Sequence, residues 1–172
     1  MNKRLLLVVL VVGSFLYWAY MQKEWHRHDP LEGKAAPDFT VSTDNGEKFK
    51  LAAAQGKVVL LHFWATWCPP CTQEMPKVNA LYNAMKDRPF ELVAVSVDEN
   101  KKDVDAFKGK MKLDFPIYFD PSENLTDTYG TFGLPESYLI DPSGKIVKKL
   151  VGPQNWMNPD FLKKIESLLP PS

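Results

Sequence analysis

Two cysteines occur in 172 residues, and they stand three apart at Cys68 and Cys71. A domain held by structural disulfides uses more cysteines, spread further along the chain, so a disulfide framework is excluded. A chain with no thiol outside one motif also has nothing to mispair in an oxidising compartment, which fits an extracytoplasmic location. Neither charge is in excess, with 21 Lys+Arg against 21 Asp+Glu. Without a basic surplus there is no electrostatic footprint for nucleic acid. Histidine is scarce too: His26 and His28 lie in a polar stretch and His62 in an apolar run. A zinc site on the cysteine pair needs two further ligands, which these positions do not readily supply. Haem attachment needs His directly after the second cysteine, where Thr72 stands. No internal repeat or low-complexity tract is visible, and the apolar fraction is ordinary for a globular protein.

What the chain has in quantity at its start is apolar residues. Leu5 to Met21 is an unbroken uncharged run. About 17 residues at ~1.5 Å rise span roughly 25 Å, just under the bilayer core. Lys3 and Arg4 precede it, and Tyr17, Trp18 and Tyr20 cluster at its far end, where amphipathic rings suit the lipid–water boundary. A cleaved signal peptide is the rival reading. It calls for a shorter run and a small-x-small site, whereas this run ends in bulky aromatics. The expected organisation is therefore an N-terminal transmembrane helix or signal anchor over 1–21, a polar linker over 22–36, and one domain over 37–172. Orientation is weakly specified, because Lys23 and Arg27 follow the span much as Lys3 and Arg4 precede it. The redox chemistry argued below places the domain outside.

Hydrophobic period and turn residues predict the elements of that domain. Short strands are expected over Asp38–Thr43 and Lys48–Leu51. Val58–Trp64 and Phe90–Val97 are near-continuous apolar runs, as strands buried on both faces require. Helices are expected over Pro69–Lys86, Lys101–Met111, Ser122–Tyr129 and Pro159–Leu168, with a short strand over Ile117–Phe119. A hairpin of Ser137–Asp141 and Lys145–Val151 turns at Asp141-Pro142-Ser143-Gly144. Strands alternating with helices, then a hairpin and a closing helix, give an α/β fold with a central mixed sheet.

The chemistry is carried by Trp67-Cys68-Pro69-Pro70-Cys71. Cys68 ends a strand and opens a helix, where unpaired N–H groups and partial positive charge favour a thiolate. The thiolate is the attacking species in disulfide exchange. Cys71 lies one turn later on the same face, in reach to resolve a mixed disulfide. Cys68 is thus expected to be exposed and attacking, Cys71 shielded. Pro69 and Pro70 lack N–H groups, so the helix start offers fewer donors. That leaves the Cys68 pKa less depressed, and the pair more reducing, than two free amides would. Pro70 also biases Pro69 away from helical ψ, which favours a helix beginning at Pro70.

The run Phe63-Trp64-Ala65-Thr66-Trp67-Cys68-Pro69-Pro70-Cys71 resembles the active-site segment of thioredoxin-like proteins. It is most similar to the TlpA/ResA/CcmG group of membrane-tethered thiol–disulfide oxidoreductases. Ala36-Pro37-Asp38-Phe39, Glu74-Met75-Pro76, Gly133-Leu134-Pro135 and Ser137-Tyr138-Leu139-Ile140-Asp141 with Gly144-Lys145-Ile146 resemble further stretches of that group, over roughly residues 35–168. The resemblance implies a thioredoxin fold and a cis peptide bond at Pro135 beside the cysteines. It implies that the Leu134 backbone pairs with a substrate strand, with Trp67 and Glu136 nearby in a substrate-binding role. Glu74 matches a glutamate the group keeps next to its cysteines, where a carboxylate can shuttle a proton. A solvated glutamate favouring the helix start is the competing reading for Glu74, and a solvent-facing glutamate for Glu136. Pro76 matches the family's helix proline. His62 is a departure, since thioredoxins proper have a buried aspartate there and the membrane-tethered group often an asparagine. It is either a proton relay to Cys71 or a hydrogen-bonded core residue.

The resemblance further implies a reductant of extracytoplasmic protein disulfides, such as those of apocytochrome c. Electrons would come from a membrane thiol carrier of the DsbD/CcdA type. The domain is expected to act as a monomer with no cofactor beyond the dithiol. General thiol reduction or oxidation is the nearest alternative. A copper metallochaperone is the alternative of another class, though its usual pattern has three residues between the cysteines and a distal histidine. A peroxidase of the peroxiredoxin kind would need a Pro-x-x-x-Thr-x-x-Cys arrangement, which is absent around Cys68.

Overall fold

A computed structural model describes residues 10–18, 30–120, 122 and 124–171. Residues 10–18 form a helix, α1, with exposed apolar side chains. The rest of the run Leu5–Met21 lies outside the described residues. Among the described residues no helix is long and apolar enough to cross a membrane.

The second unit begins at Leu31. Its strands are β1 (Thr40–Thr43), β2 (Lys48–Lys50), β3 (Val58–Trp64), β4 (Phe90–Ser96), β5 (Ile117–Phe119), β6 (Glu136–Ile140) and β7 (Ile146–Val151). Its helices are α2 (Pro69–Met85), α3 (Lys101–Met111), α4 (Leu125–Thr128) and α5 (Pro159–Leu168). The strands form one mixed sheet in the order β2-β1-β5-β4-β3-β6-β7. β3 lies between β4, parallel to it, and β6, antiparallel to it.

All seven residues of β3 are buried, as its unbroken apolar run requires. Successive side chains point to opposite faces of a strand. Val58, Leu60 and Trp64 accordingly join one core with Met75, Val78 and Leu81 of α2, Val104 of α3 and Ile165 of α5. Val59, Leu61 and Phe63 join a second core with Val41, Tyr129 and Tyr138. Each fully buried aliphatic side chain contributes about 1.5–3 kcal/mol. His62 occupies an inward position on the α2 face of this strand, and its polarity has to be satisfied locally.

Several ends differ from expectation. The first strand starts at Thr40 because the Asp38 carboxylate instead accepts the Ala52 N–H at 3.1 Å. The second strand gives way to a 3-10 turn over Leu51–Ala54 that buries Leu51 and Ala54. α4 shortens to Leu125–Thr128, with Asp120 accepting the Leu125 N–H at 2.7 Å. α2 begins at Pro69, not Pro70, because position N1 needs no N–H and suits the fixed φ of proline. The last part of the expected linker belongs to the folded unit. Gly33 N–H and Ala36 N–H bond the carbonyls of Ile146 and Gly144 at 2.7 and 2.8 Å. Those backbone groups would otherwise lie unpaired beside the hairpin.

Candidate active site

Where β3 ends, the chain turns through Ala65 and Thr66 into Trp67 and α2. β4 runs parallel to β3 in a register that sets Ser96 beside Trp64. Two residues on, the Asp98 carboxylate reaches across to this turn. It accepts the Thr66 N–H at 2.9 Å and the hydroxyls of Thr66 and Ser96. Asp98 thereby fixes the approach to Cys68. Sequence reasoning missed it, because only the parallel pairing brings the two strand ends together.

Cys68 caps α2 and is bonded to Cys71, with S–S 2.05 Å and Cα–Cα 5.3 Å. Pro69 and Pro70 contribute no N–H, so Cys71 carries the first amide of the helix, and it points at Cys68 Sγ from 3.4 Å. Cys68 is 5% exposed and Cys71 0%. The expected order therefore holds, but Cys68 is far less open than expected. It lies low in a groove of about 550 Å³ lined by Trp67, Cys68, Pro69, Pro70, Val97, Thr126, Thr131, Phe132, Gly133 and Leu134. A larger cavity of about 690 Å³ lies past the ends of β4 and β5, between Ser96, Asp98, Lys101 and Asp120. It lacks a sulfur, so the smaller groove is the candidate site.

The opposite wall is the loop 131–135. The Leu134–Pro135 peptide bond is cis. The Pro135 carbonyl accepts the Gly152 N–H at 2.9 Å, while no hydrogen bond among the described residues engages the Leu134 backbone. Trp67 stands 66% exposed on the near wall.

Glu136 is not solvent-facing. It is buried, with Lys149 Nζ at 3.4 Å and the Tyr138 hydroxyl donating to it at 3.2 Å. The first position of β6 turns it into the sheet, where the Lys149 ammonium compensates its charge. It does not line the groove.

Glu74 is also buried, which overturns the solvated alternative. One turn past Cys71 its carboxylate faces the segment before α5. Oε2 accepts the Gln154 N–H and the Trp156 indole N–H, both at 2.8 Å. Oε1 has no hydrogen-bond partner and lies 3.7 Å from His62 Nε2, which has none either. His62 Nδ1 is 2.8 Å from Ser137 Oγ, and its ring packs edge-on against Trp156. Burial holds the His62 pKa down at about 3, so the ring is neutral and its contact with Glu74 is not an ion pair. Burial also raises the Glu74 pKa, with the Gln154 and Trp156 hydrogen bonds and Lys77 pulling back. His62 is thus a hydrogen-bonded core residue that also confronts the buried carboxylate.

A disulfide at a helix mouth, facing a cis-proline loop at the end of a mixed sheet, defines a thioredoxin-fold redox protein. Comparison with known proteins narrows this. Residues 33–149 match the AhpC/TSA family. Over 163 residues the chain is 39% identical to the thiol–disulfide oxidoreductase ResA of Bacillus thuringiensis subsp. konkukian (strain 97-27), covering 94% of this chain and 92% of that one. It is 35% identical over 148 residues to ResA of Bacillus subtilis (strain 168), covering 86% and 81%. Among solved structures, the DsbE thiol:disulfide interchange protein from Chlorobium tepidum superposes with a TM-score of 0.72 at 34% identity, covering 81% of this chain and 98% of that one. StoA from Bacillus subtilis gives 0.65 at 31% identity, covering 76% and 97%. The chain belongs to the AhpC/TSA family and, within it, to the thiol–disulfide oxidoreductases of the ResA type.

Proposed function

We propose that this protein reduces disulfides in extracytoplasmic protein substrates, with apocytochrome c during cytochrome c maturation as the leading substrate. The carrying observation is the Cys68–Cys71 disulfide at the α2 mouth, facing the unengaged Leu134 backbone across the groove. The likeness to ResA and DsbE over most of the chain supports it.

In the reduced protein the Cys68 thiolate attacks one sulfur of the target disulfide. The target's other sulfur leaves as a thiolate and takes a proton. Cys71 then loses its proton and attacks Cys68 Sγ, which releases the second target thiol and closes the 68–71 bond. Two electrons pass to the target, and an external dithiol restores the pair. A membrane thiol carrier of the DsbD/CcdA type is the proposed donor. The dithiol is the redox centre, and Glu74 is the proposed proton partner of Cys71.

The apolar run Leu5–Met21 is proposed as an anchor in the cytoplasmic membrane, with a monomeric domain on its outer side. Tethering raises the effective concentration of donor and substrate around the groove.

Trapping tests the exchange step. Cys71→Ala should accumulate a mixed disulfide between Cys68 and its substrate, which mass spectrometry names. Equal trapping by Cys68→Ala would reverse the roles of the two cysteines. Direction is tested by the midpoint potential. A value clearly more negative than about −220 mV supports a reductant, and one near −120 mV an oxidant.

A further inference from the structure

Phe132 projects from the groove's far wall with 95% of its surface exposed. An aromatic side chain buries 150–250 Å² when it packs, so one held fully in water is a contact surface waiting for a partner. Its loop is not slack. Lys149 Nζ donates to the Gly130 carbonyl at 2.9 Å and lies 5.6 Å from the Phe132 ring centre. Trp67 lines the same groove and is also mostly exposed. Pro69, Pro70, Val97 and Leu134 line the groove with these two rings, and no charged side chain lines it among the described residues.

Those observations restrict what binds. The disulfide in the floor demands an occupant that carries a reactive sulfur. A charge set beside that sulfur would give up water and find no counter-charge among the residues lining the groove. A large apolar side chain would cover both exposed rings.

We propose that the groove takes an extended segment of a protein substrate with an aromatic or large aliphatic residue next to the cysteine under attack, gripped between Trp67 and Phe132. This rests on the exchange reading above and adds its substrate class. Phe132 is the selecting residue, and the unengaged Leu134 backbone offers the hydrogen bonds that keep the segment extended.

The test uses the pre-reduced full chain in single-turnover reactions. Three peptide disulfides are compared, identical except for Phe, Gly or Asp next to the attacked cysteine, together with hydroxyethyl disulfide. The Phe peptide should react about tenfold faster than the Gly peptide, and the Asp peptide slowest. In Phe132→Ala the Phe-over-Gly preference should fall to about twofold or less, and Phe132→Tyr should restore it. Equal rates for the Phe and Asp peptides in the wild type would overturn the proposal. So would a preference that survives both Phe132→Ala and Trp67→Ala, or one that fades as protein concentration rises, which would mark a second copy of the chain as the occupant. Failure of the wild type to react even with hydroxyethyl disulfide would instead defeat the exchange reading, and the inference with it.

Discussion

At the scale of single residues, the informative positions are polar atoms buried without charge compensation. His62 stays neutral in the folded protein down to about pH 3 but protonates near 6.5 when unfolded. Its folded pKa is depressed, so the unfolded state gains the proton first. Stability is therefore lost as pH falls from 6.5 toward 3, at up to about 1.4 kcal/mol per pH unit. Glu74 has the opposite sign. Its folded pKa is raised above 4.5, so it costs stability as pH rises through that value toward the folded one. The two slopes oppose each other just above pH 4.5. We predict that Glu74→Gln steepens the acid loss there and His62→Leu flattens it, read as urea midpoints between pH 3.5 and 7. A wild-type acid limb unchanged in both variants would contradict the assignment.

The prolines make a second residue-scale prediction. Cys71 carries the first helix N–H that reaches Cys68 Sγ. Pro70→Ala restores an earlier N–H at the helix mouth, where donors favour a thiolate. The Cys68 pKa should fall, measured by alkylation rate against pH in the reduced protein. An unchanged or higher value would defeat the donor argument.

At the scale of elements, the groove depends on contacts between chain segments distant in sequence. Lys149 of β7 pairs with Glu136 of β6, and both side chains are more than nine-tenths buried. Breaking a buried pair by removing one partner strands the other charge. Lys149→Met should therefore cost about 3–5 kcal/mol. Adding Glu136→Gln should recover much of that, because the orphaned charge goes too. Equilibrium denaturation of the two single variants and the double completes the cycle. Additive losses would show that the pair does not act as a unit.

The elements themselves were largely legible in the sequence. Val58–Trp64, Lys101–Met111, Ile117–Phe119 and Pro159–Leu168 fall where periodicity and turn residues place them. The misses are at ends, where local hydrogen bonds decide. Asp38 and Asp120 each draw a nearby backbone N–H to a side chain, and the strand or helix beside them is shorter for it.

At the scale of the whole folded unit, one sheet separates two apolar cores, and the segment ahead of Thr40 is tied to the far hairpin. Besides the bonds from Gly33 and Ala36, Ile146 N–H bonds the Lys34 carbonyl at 3.0 Å. Glu32 Oε1 accepts the Lys149 N–H at 2.9 Å. At about 1 kcal/mol net each, four such bonds are a sizeable share of a marginal stability. Starting the chain at Pro37 instead of Leu31 should lower Tm by roughly 10 °C, seen by thermal circular dichroism. An unchanged Tm would show that this segment adds no stability.

The sequence by itself determined the pairing of Cys68 with Cys71, their place at a helix mouth, and the class of fold around them. Those properties follow from spacing, chain punctuation and unbroken apolar runs, all of which are local. Only the tertiary structure decided that Glu74 meets His62, that Glu136 turns inward to Lys149, that Asp98 steadies the turn before Trp67, and that Phe132 shares a groove with Trp67. Those pairs are 12 to 65 positions apart, and which side chains share a space at that range is set by strand register and helix packing, not by neighbours in the chain.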